Sequence, residues 1–318
     1  VEAALKGLLP DSTLDRVLTA CVATANRDDY RGIGLYKMLG YVPADLETES
    51  LSKTLEYAYD DHCIAQLARR MGRDSLYNEF ILRSKSYMNL YQPASGFMQP
   101  RLSTNEWLPG FDPKAYTEHI TESNGWQYLW AVQQDVEGLI RLMRGPEQFE
   151  KRLDEMFTLD PEATDSLPIF STGMIGQYAH GNEPSHHVAY LYDYIGRPEK
   201  TQRYVSEIMR TQYANRPDGL CGNEDCGQMS AWYVFSALGF YPVDPVSLNY
   251  AIGTPLFEES VIRLPNGKSF TVRAPGVSAK RYRIEKMTLN GHLLSTPFLT
   301  WRDIVSGGEL DIVLREEE

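Results

Sequence analysis

A mainly helical fold closed by a small antiparallel β-sheet is predicted by three features of the sequence. Apolar residues recur at helical spacing through most of the chain, and long Pro-rich loops separate these runs. Beyond Pro242 the texture changes to short strands with hairpin turns. The helical part is expected over residues 1–245 and the sheet over residues 246–318.

The chain opens in a helical pattern, VEAALKGLL. Over residues 45–73, Leu51, Leu55, Ala58, Tyr59, Ala65, Leu67 and Ala68 predict a helix with one buried face, closed by Gly72. Leu76, Phe80, Tyr87, Met88 and Tyr91 continue the scheme as far as Pro93 and Gly96, so two antiparallel helices are expected. Helical runs follow over 126–143, 146–157, 184–195, 198–213 and 228–238, with no strands between them. Three begin with proline, whose missing N–H costs nothing in the first turn. The loops over 91–125 and 214–227 are long for a helical bundle, and long ordered loops are more often functional than not. Near the end, Val261 to Leu264 and Phe270 to Val272 flank Pro265-Asn266-Gly267. Asn290-Gly291 marks a second turn among Tyr282, Ile284, Leu289 and Ile312 to Leu314.

Composition narrows the function. With 318 residues and 42% apolar content the chain buries a real core, as one large domain or two ordinary ones. Lys and Arg total 31 against 43 Asp and Glu, and a net charge of -12 repels a phosphate backbone, which argues against a nucleic-acid partner. Hard cations and neutral polyols suit such a surface better. No run of about eighteen apolar residues is present, so no membrane span is expected. There is no leader pattern at Val1, and the beginning of the protein is expected to lie outside this sequence. Cys21 and Cys63 read as small core residues on helices, and the four cysteines lack zinc spacing. A disulfide between Cys221 and Cys226 remains open.

Three polar clusters stand where loops meet helices. In EHITESNGWQY, residues 118–128, Glu122 precedes an aromatic helix start. A carboxyl desolvated against such a wall is suited to donate a proton; the plainer role is a helix cap. In HGNEPSHH, residues 180–187, Asn182 and Glu183 are hard oxygen donors of the kind calcium takes. His186 and His187 are adjacent and face different ways, which makes a shared zinc site a poor reading; the plainer one is an Asn cap and a core histidine. In GNEDCGQ, residues 222–228, glycines let carboxylates converge on a ligand, though these too would serve as a cap. Their repetition at three helix starts points to one rim of a helical toroid.

Together with Leu39-Gly40-Tyr41-Val42-Pro43, SKTLEYAYDD at 52–61, Phe97-Met98 and GNEDCGQMSAWY at 222–233, these clusters resemble glycoside hydrolase family 92, calcium-dependent exo-α-mannosidases. The resemblance implies part of an (α/α)6 toroid, incomplete at its N-terminus. An N-terminal β-sandwich and the first toroid helices would be supplied by the same precursor or a companion chain. It places Glu122, within Glu-x-x-x-Trp-Gln-Tyr, as general acid and Asp225 as general base, roughly 6.5 to 9.5 Å apart to admit a water. It implies Ca2+ held near Asn182, Glu183 and Asp225, with Trp126, Gln127, His180, His186, His187, Asn223 and Gln228 binding substrate. The substrates implied are terminal α-mannosides of N-glycans or mannans, with α-1,2 linkage first, and the location secreted or periplasmic. Two positions depart from the pattern: Asn223 stands where many members carry an acid, and Gln133-Gln134-Asp135 where Pro-His-Asp is frequent.

The competing reading is a mannose-binding remnant without turnover, against which the retention of both carboxylates argues. A different toroid enzyme, trehalase-like or a polysaccharide lyase, fits less well, because the chain lacks an evident Arg cluster for uronates.

Overall fold

The frame of the N-terminal half is a 21-residue helix, α4 (Ser50–Arg70), with Leu51, Leu55, Ala58, Ala65, Leu67 and Ala68 wholly enclosed. Each enclosed Leu contributes about 1.5–3 kcal/mol relative to exposure. The computed structural model describes residues 1–161 and 167–316. It divides into two compact units, Val1–Ile169 with Gly176–Tyr178, and Phe170–Ile175 with Ala179–Glu318.

In the first unit α1 (Glu2–Leu5), α2 (Leu14–Ala25) and α5 (Asp74–Arg83) pack on α4 around Leu14, Leu18, Ile64, Ala68 and Phe80. The short α3 (Ile33–Leu39) precedes α4, and Gly72, at φ 66°, turns the chain from α4 into α5. After α5 come β1 (Tyr91–Gln92) and β2 (Phe97–Met98), a small antiparallel pair, then α6 (Gly125–Tyr128), α7 (Val136–Leu142) and α8 (Pro146–Thr158). Two further short strands, β3 (Met174–Ile175) and β4 (Tyr178–Ala179), lie where the chain passes between the two units.

Several expected helices are shorter or broken. The first strong run starts at Ser50 rather than 45, because the N–H groups of Glu49 and Leu51 bond the carbonyls of Glu118 and His119, not a preceding turn. The run over 76–91 ends as an α-helix at Arg83 and passes into a 3-10 turn, Ser86–Leu90, while Tyr91 is a strand residue. The run over 126–143 is two helices. Asp135 restarts it, accepting the Gly138 N–H at 3.1 Å while Lys85 and Tyr87 donate to its other oxygen at 2.6 and 2.5 Å. A local cap overrides apolar periodicity there. The expectation of no strands among the helices also fails, through the two-residue pairs just described.

In the second unit a 3-10 turn, Glu183–Ser185, and a 3-10 helix, Val188–Ile195, replace the α-helix expected over 184–195, with Tyr190 N–H bonded three residues back to His187. Next come α9 (Pro198–Thr211) and α10 (Gln228–Leu238), the latter with the predicted bounds. Strands β5 (Phe240–Tyr241), β6 (Asn249–Ile252), β7 (Glu259–Arg263), β8 (Ser269–Arg273), β9 (Arg283–Leu289), β10 (His292–Leu293), β11 (Phe298–Thr300), helix α11 (Trp301–Val305) and β12 (Gly308–Arg315) complete it. They form a five-stranded sheet in the order β10-β9-β12-β8-β7 and a three-stranded one in the order β11-β6-β5. Both predicted turns join antiparallel neighbours, β7 to β8 and β9 to β10. One pair departs from the antiparallel expectation: β12 lies parallel to β8, since the chain returns through β9 to α11 before re-entering the sheet. Phe240, Tyr250, Phe270, Leu299 and Leu310 form the core. Among the described residues no helix is long and apolar enough to cross a membrane.

Candidate active site

In the first unit the segment bearing Glu122 is bound to the start of α4. The Thr121 N–H donates to Ser52 Oγ at 2.8 Å and its hydroxyl to Glu49 Oε1 at 3.1 Å. The carbonyls of Glu118 and His119 take N–H groups that a helix start leaves unpaired. Residues 123–130 are all buried, while Glu122 itself is exposed. It has φ 55°, a left-handed conformation that costs a non-glycine residue about 1–3 kcal/mol and persists only when its surroundings impose it.

Glu122 is not the helix cap. Asn124 takes that role, its Oδ1 accepting from the N–H of Trp126 at 3.0 Å and of Gln127 at 3.2 Å, while Gln127 Oε1 accepts the Asn124 N–H at 3.2 Å. Gln177 ties both residues down, bonding Asn124 Nδ2 and Gln127 Nε2 at 3.2 Å each. Trp126 and Gln127 are 5% and 1% exposed: the Trp126 ring stands edge-on to Phe97 with the Arg152 guanidinium over it. Both are wall rather than surface.

The second unit holds the other two clusters. Gly222 lies directly on Gly181: a Cβ at Gly222 would come 2.5 Å from the Gly181 Cα. This backbone contact sets the Asn182-Glu183 turn beside the loop of Asp225. Asn182 is 7% exposed, and its carboxamide does not cap the turn that follows it. Asp225 is exposed, at φ 48°, with Cys226 at 57° and Gly227 at 98° after it. The capping work falls to Glu224, whose carboxylate accepts the Ser230 N–H at 3.2 Å and its hydroxyl at 3.0 Å. Asn223 is exposed nearby. All four cysteines are free, and burial pushes the Cys221 thiol up to about 11.

The histidines form a buried, neutral support. His186 Nε2 bonds the His180 carbonyl at 3.0 Å, so that nitrogen carries the proton and Nδ1 accepts from Gln228 Nε2 at 3.2 Å. Tyr213 donates its hydroxyl to the Met229 carbonyl at 3.0 Å and accepts from His180 Nε2 at 2.7 Å. Burial pushes His186 down to about 4, with the charge of Asp225 opposing, and holds His180 well below the usual range. Trp232 packs on His180 and donates to the His186 carbonyl at 2.8 Å. His187 is 7% exposed.

Among the described residues no three His, Cys, Asp or Glu side chains are grouped to hold a metal. Asn182, Glu183 and Asp225, which the sequence puts forward for Ca2+, carry oxygen donors of the kind a hard cation such as calcium takes. The contact of Gly181 with Gly222 brings together the loops that carry these residues, and their oxygen donors are of a kind that suits Ca2+.

A sequence profile of the glycosyl hydrolase family 92 catalytic domain matches residues 1–316. The chain belongs to glycoside hydrolase family 92. A family 92 α-mannosidase of Bacteroides thetaiotaomicron, solved in complex with mannoimidazole, is 41% identical with a TM-score of 0.95, over 99% of this chain and 42% of that one. A family 92 inverting mannosidase of the same organism is 38% identical with a TM-score of 0.87, over 98% of this chain and 44% of its own length. An uncharacterized secreted glycosidase of Arthroderma benhamiae is 28% identical over 323 residues, 90% of this chain and 39% of that protein. The chain thus spans less than half the length of these relatives, and nothing in the comparisons supports a separate companion chain.

In this family 92 chain, Glu122 lies in the first unit, and Asn182, Glu183 and Asp225 in the second. Sequence reasoning missed the residues behind them: Ser52, Glu56 and Gln177 in the first unit, Tyr213 in the second. The stretch SKTLEYAYDD held a signal, since Ser52, Glu56 and Asp60 are spaced by four and share a helix face. Asp61 belongs to the opposite face. It is buried, bonded to Tyr36 at 2.8 Å and Arg83 at 3.0 Å, and burial raises its carboxyl to about 7. Gln177 and Tyr213 carried no local signal.

Proposed function

We propose that this chain supplies the acid, the base and the cation ligands of a calcium-dependent, inverting exo-α-mannosidase. Its substrates are terminal α-mannosides of N-glycans or mannans, α-1,2-linked first. The observation that carries this reading is a repeated device. Glu122 and Asp225 are each exposed in a left-handed turn at a helix start, while a neighbour, Asn124 or Glu224, does the capping. Two unrelated caps that keep an exposed carboxylate out of the capping bonds fit a pair of working groups better than two structural ones. The likeness to the mannoimidazole-bound enzyme supports mannose as the sugar.

Glu122 protonates the departing glycosidic oxygen as its bond to the anomeric carbon breaks. Asp225 takes a proton from the water that attacks from the opposite face, so the released sugar has inverted configuration. Asn182, Glu183 and Asp225 would hold Ca2+, which supplies charge and orientation to neighbouring sugar hydroxyls. Neutral His186, fixed by the His180 carbonyl, orients Gln228 beside Asp225. We also read residues 1–245 as the later helices of an (α/α)6 toroid, residues 246–318 as a small β domain, and the protein as secreted or periplasmic, in line with the name of the Arthroderma relative.

The test is mannose release from α-1,2-mannobiose by the full-length protein, with calcium or a chelator. The anomer released first is read by NMR. Glu122→Gln and Asp225→Asn are each expected to lower kcat about 100- to 10,000-fold. Calcium-dependent release of β-mannose, lost in both variants, supports the reading. Absence of release from any mannoside while mannose still binds sinks it in favour of a binding remnant.

A further inference from the structure

The face of α4 that meets the Glu122 segment holds an unassigned carboxylate, Glu56, one turn beyond Ser52. Two hydrogen bonds tie the segment to this face. The Thr121 N–H donates to Ser52 Oγ at 2.8 Å, and Tyr128 Oη donates to Glu56 Oε1 at 3.5 Å. The segment is therefore tied to α4 one residue before Glu122 and again six residues after it. Between the ties Glu122 is held at φ 55°.

Tyr128 is 4% exposed and Ser52 2%, whereas Glu56 is open at the helix surface. The protein around it nevertheless raises its carboxyl by desolvation, with the charge of Asp60 adding to the effect. A glutamine oxygen could accept the tyrosine hydroxyl only as a neutral acceptor. A carboxylate makes the stronger, charge-assisted bond and keeps a second oxygen at the open face.

We propose that Glu56 is a positioning residue for the acid: through Tyr128 it holds the far end of the Glu122 segment, as Ser52 holds the near end, at the place where the leaving oxygen must be protonated. This rests on the reading of Glu122 as general acid. Its signature is dependence on the leaving group. A sugar alkoxide needs protonation as it departs, whereas dinitrophenolate does not.

The experiment compares α-1,2-mannobiose with 2,4-dinitrophenyl α-mannoside for the full-length wild type, Glu56→Gln, Glu56→Asp, Tyr128→Phe and the Glu56→Gln/Tyr128→Phe double variant. Glu56→Gln is expected to lower kcat on mannobiose about 10- to 100-fold with KM within about threefold, and on the dinitrophenyl substrate by less than about threefold. Glu56→Asp recovers part of the loss, and the double variant loses no more than the worse single one. If Glu56→Gln does not fold, Tyr128→Phe carries the same leaving-group comparison. Equal losses on both substrates, additive losses, or wild-type rates in a folded Glu56→Gln overturn the proposal. A wild type that cleaves neither substrate instead removes the reading of Glu122 beneath it.

Discussion

In the loop of Glu122 the anchoring is done by side chains, whereas in the loop of Asp225 it is done by bare backbone. Ser52 and Glu49 grip the first loop from the start of α4, Asn124 from its own helix, and Gln177 from the turn before β4. The second rests on the contact of Gly222 with Gly181 and on three successive left-handed residues. Both present a carboxylate that its neighbour has excused from capping. On the roles proposed above, a proton donor must be held at one point, which directed hydrogen bonds do well. Cation donors must be brought close together, which glycine backbones allow.

The comparison breaks most directly at Gly222. In Gly222→Ala the new Cβ meets the Gly181 backbone, which cannot give way as a side-chain tip would. Calcium affinity, measured by titration calorimetry, is expected to fall at least about tenfold, and about 1.4 kcal/mol corresponds to each factor of ten. Mannose release should fall with it. Unchanged calcium binding would show that this contact does not assemble the donors.

A smaller effect is expected on the side-chain-anchored loop. Asn124→Ala removes the cap and strands partners in a buried spot, at a cost of about 1–2 kcal/mol read from denaturant unfolding. Calcium affinity should stay within about twofold. A loss of calcium binding would show that the two anchors are not independent.

The smallest effect concerns a carboxyl of the opposite kind. Asp193, in the 3-10 helix Val188–Ile195, is 3% exposed, and burial holds its carboxyl well above the usual range, with Thr201 opposing the shift. The folded protein therefore keeps a proton that the unfolded chain gives up above about pH 3.9. This stabilisation is full below that pH and lost as pH rises toward the folded value. Thermal melts should show Asp193→Asn gaining on the wild type as pH goes from 5 to 8. A constant difference would mean that the folded protein does not keep the proton on Asp193.

The amphipathic pattern alone determined that Gln228–Leu238 is a helix and that Pro146 and Pro198 open helices, because those runs have a periodic buried face and a local start signal. Pro265-Asn266-Gly267 and Asn290-Gly291 marked their hairpins for an equally local reason: the turn chemistry is written in adjacent residues. The three polar clusters were legible too, as residue types at helix starts. Only the tertiary structure decided that Asn124 and Glu224, not Glu122 and Asp225, do the capping, that Gly222 lies on Gly181, and that β12 runs parallel to β8. It also broke the run over 126–143 at Asp135, whose partners Lys85 and Tyr87 lie about fifty residues away in the chain. Periodicity and turn chemistry act over a few residues. A hydrogen bond or a backbone contact between distant segments exists only once the chain has packed.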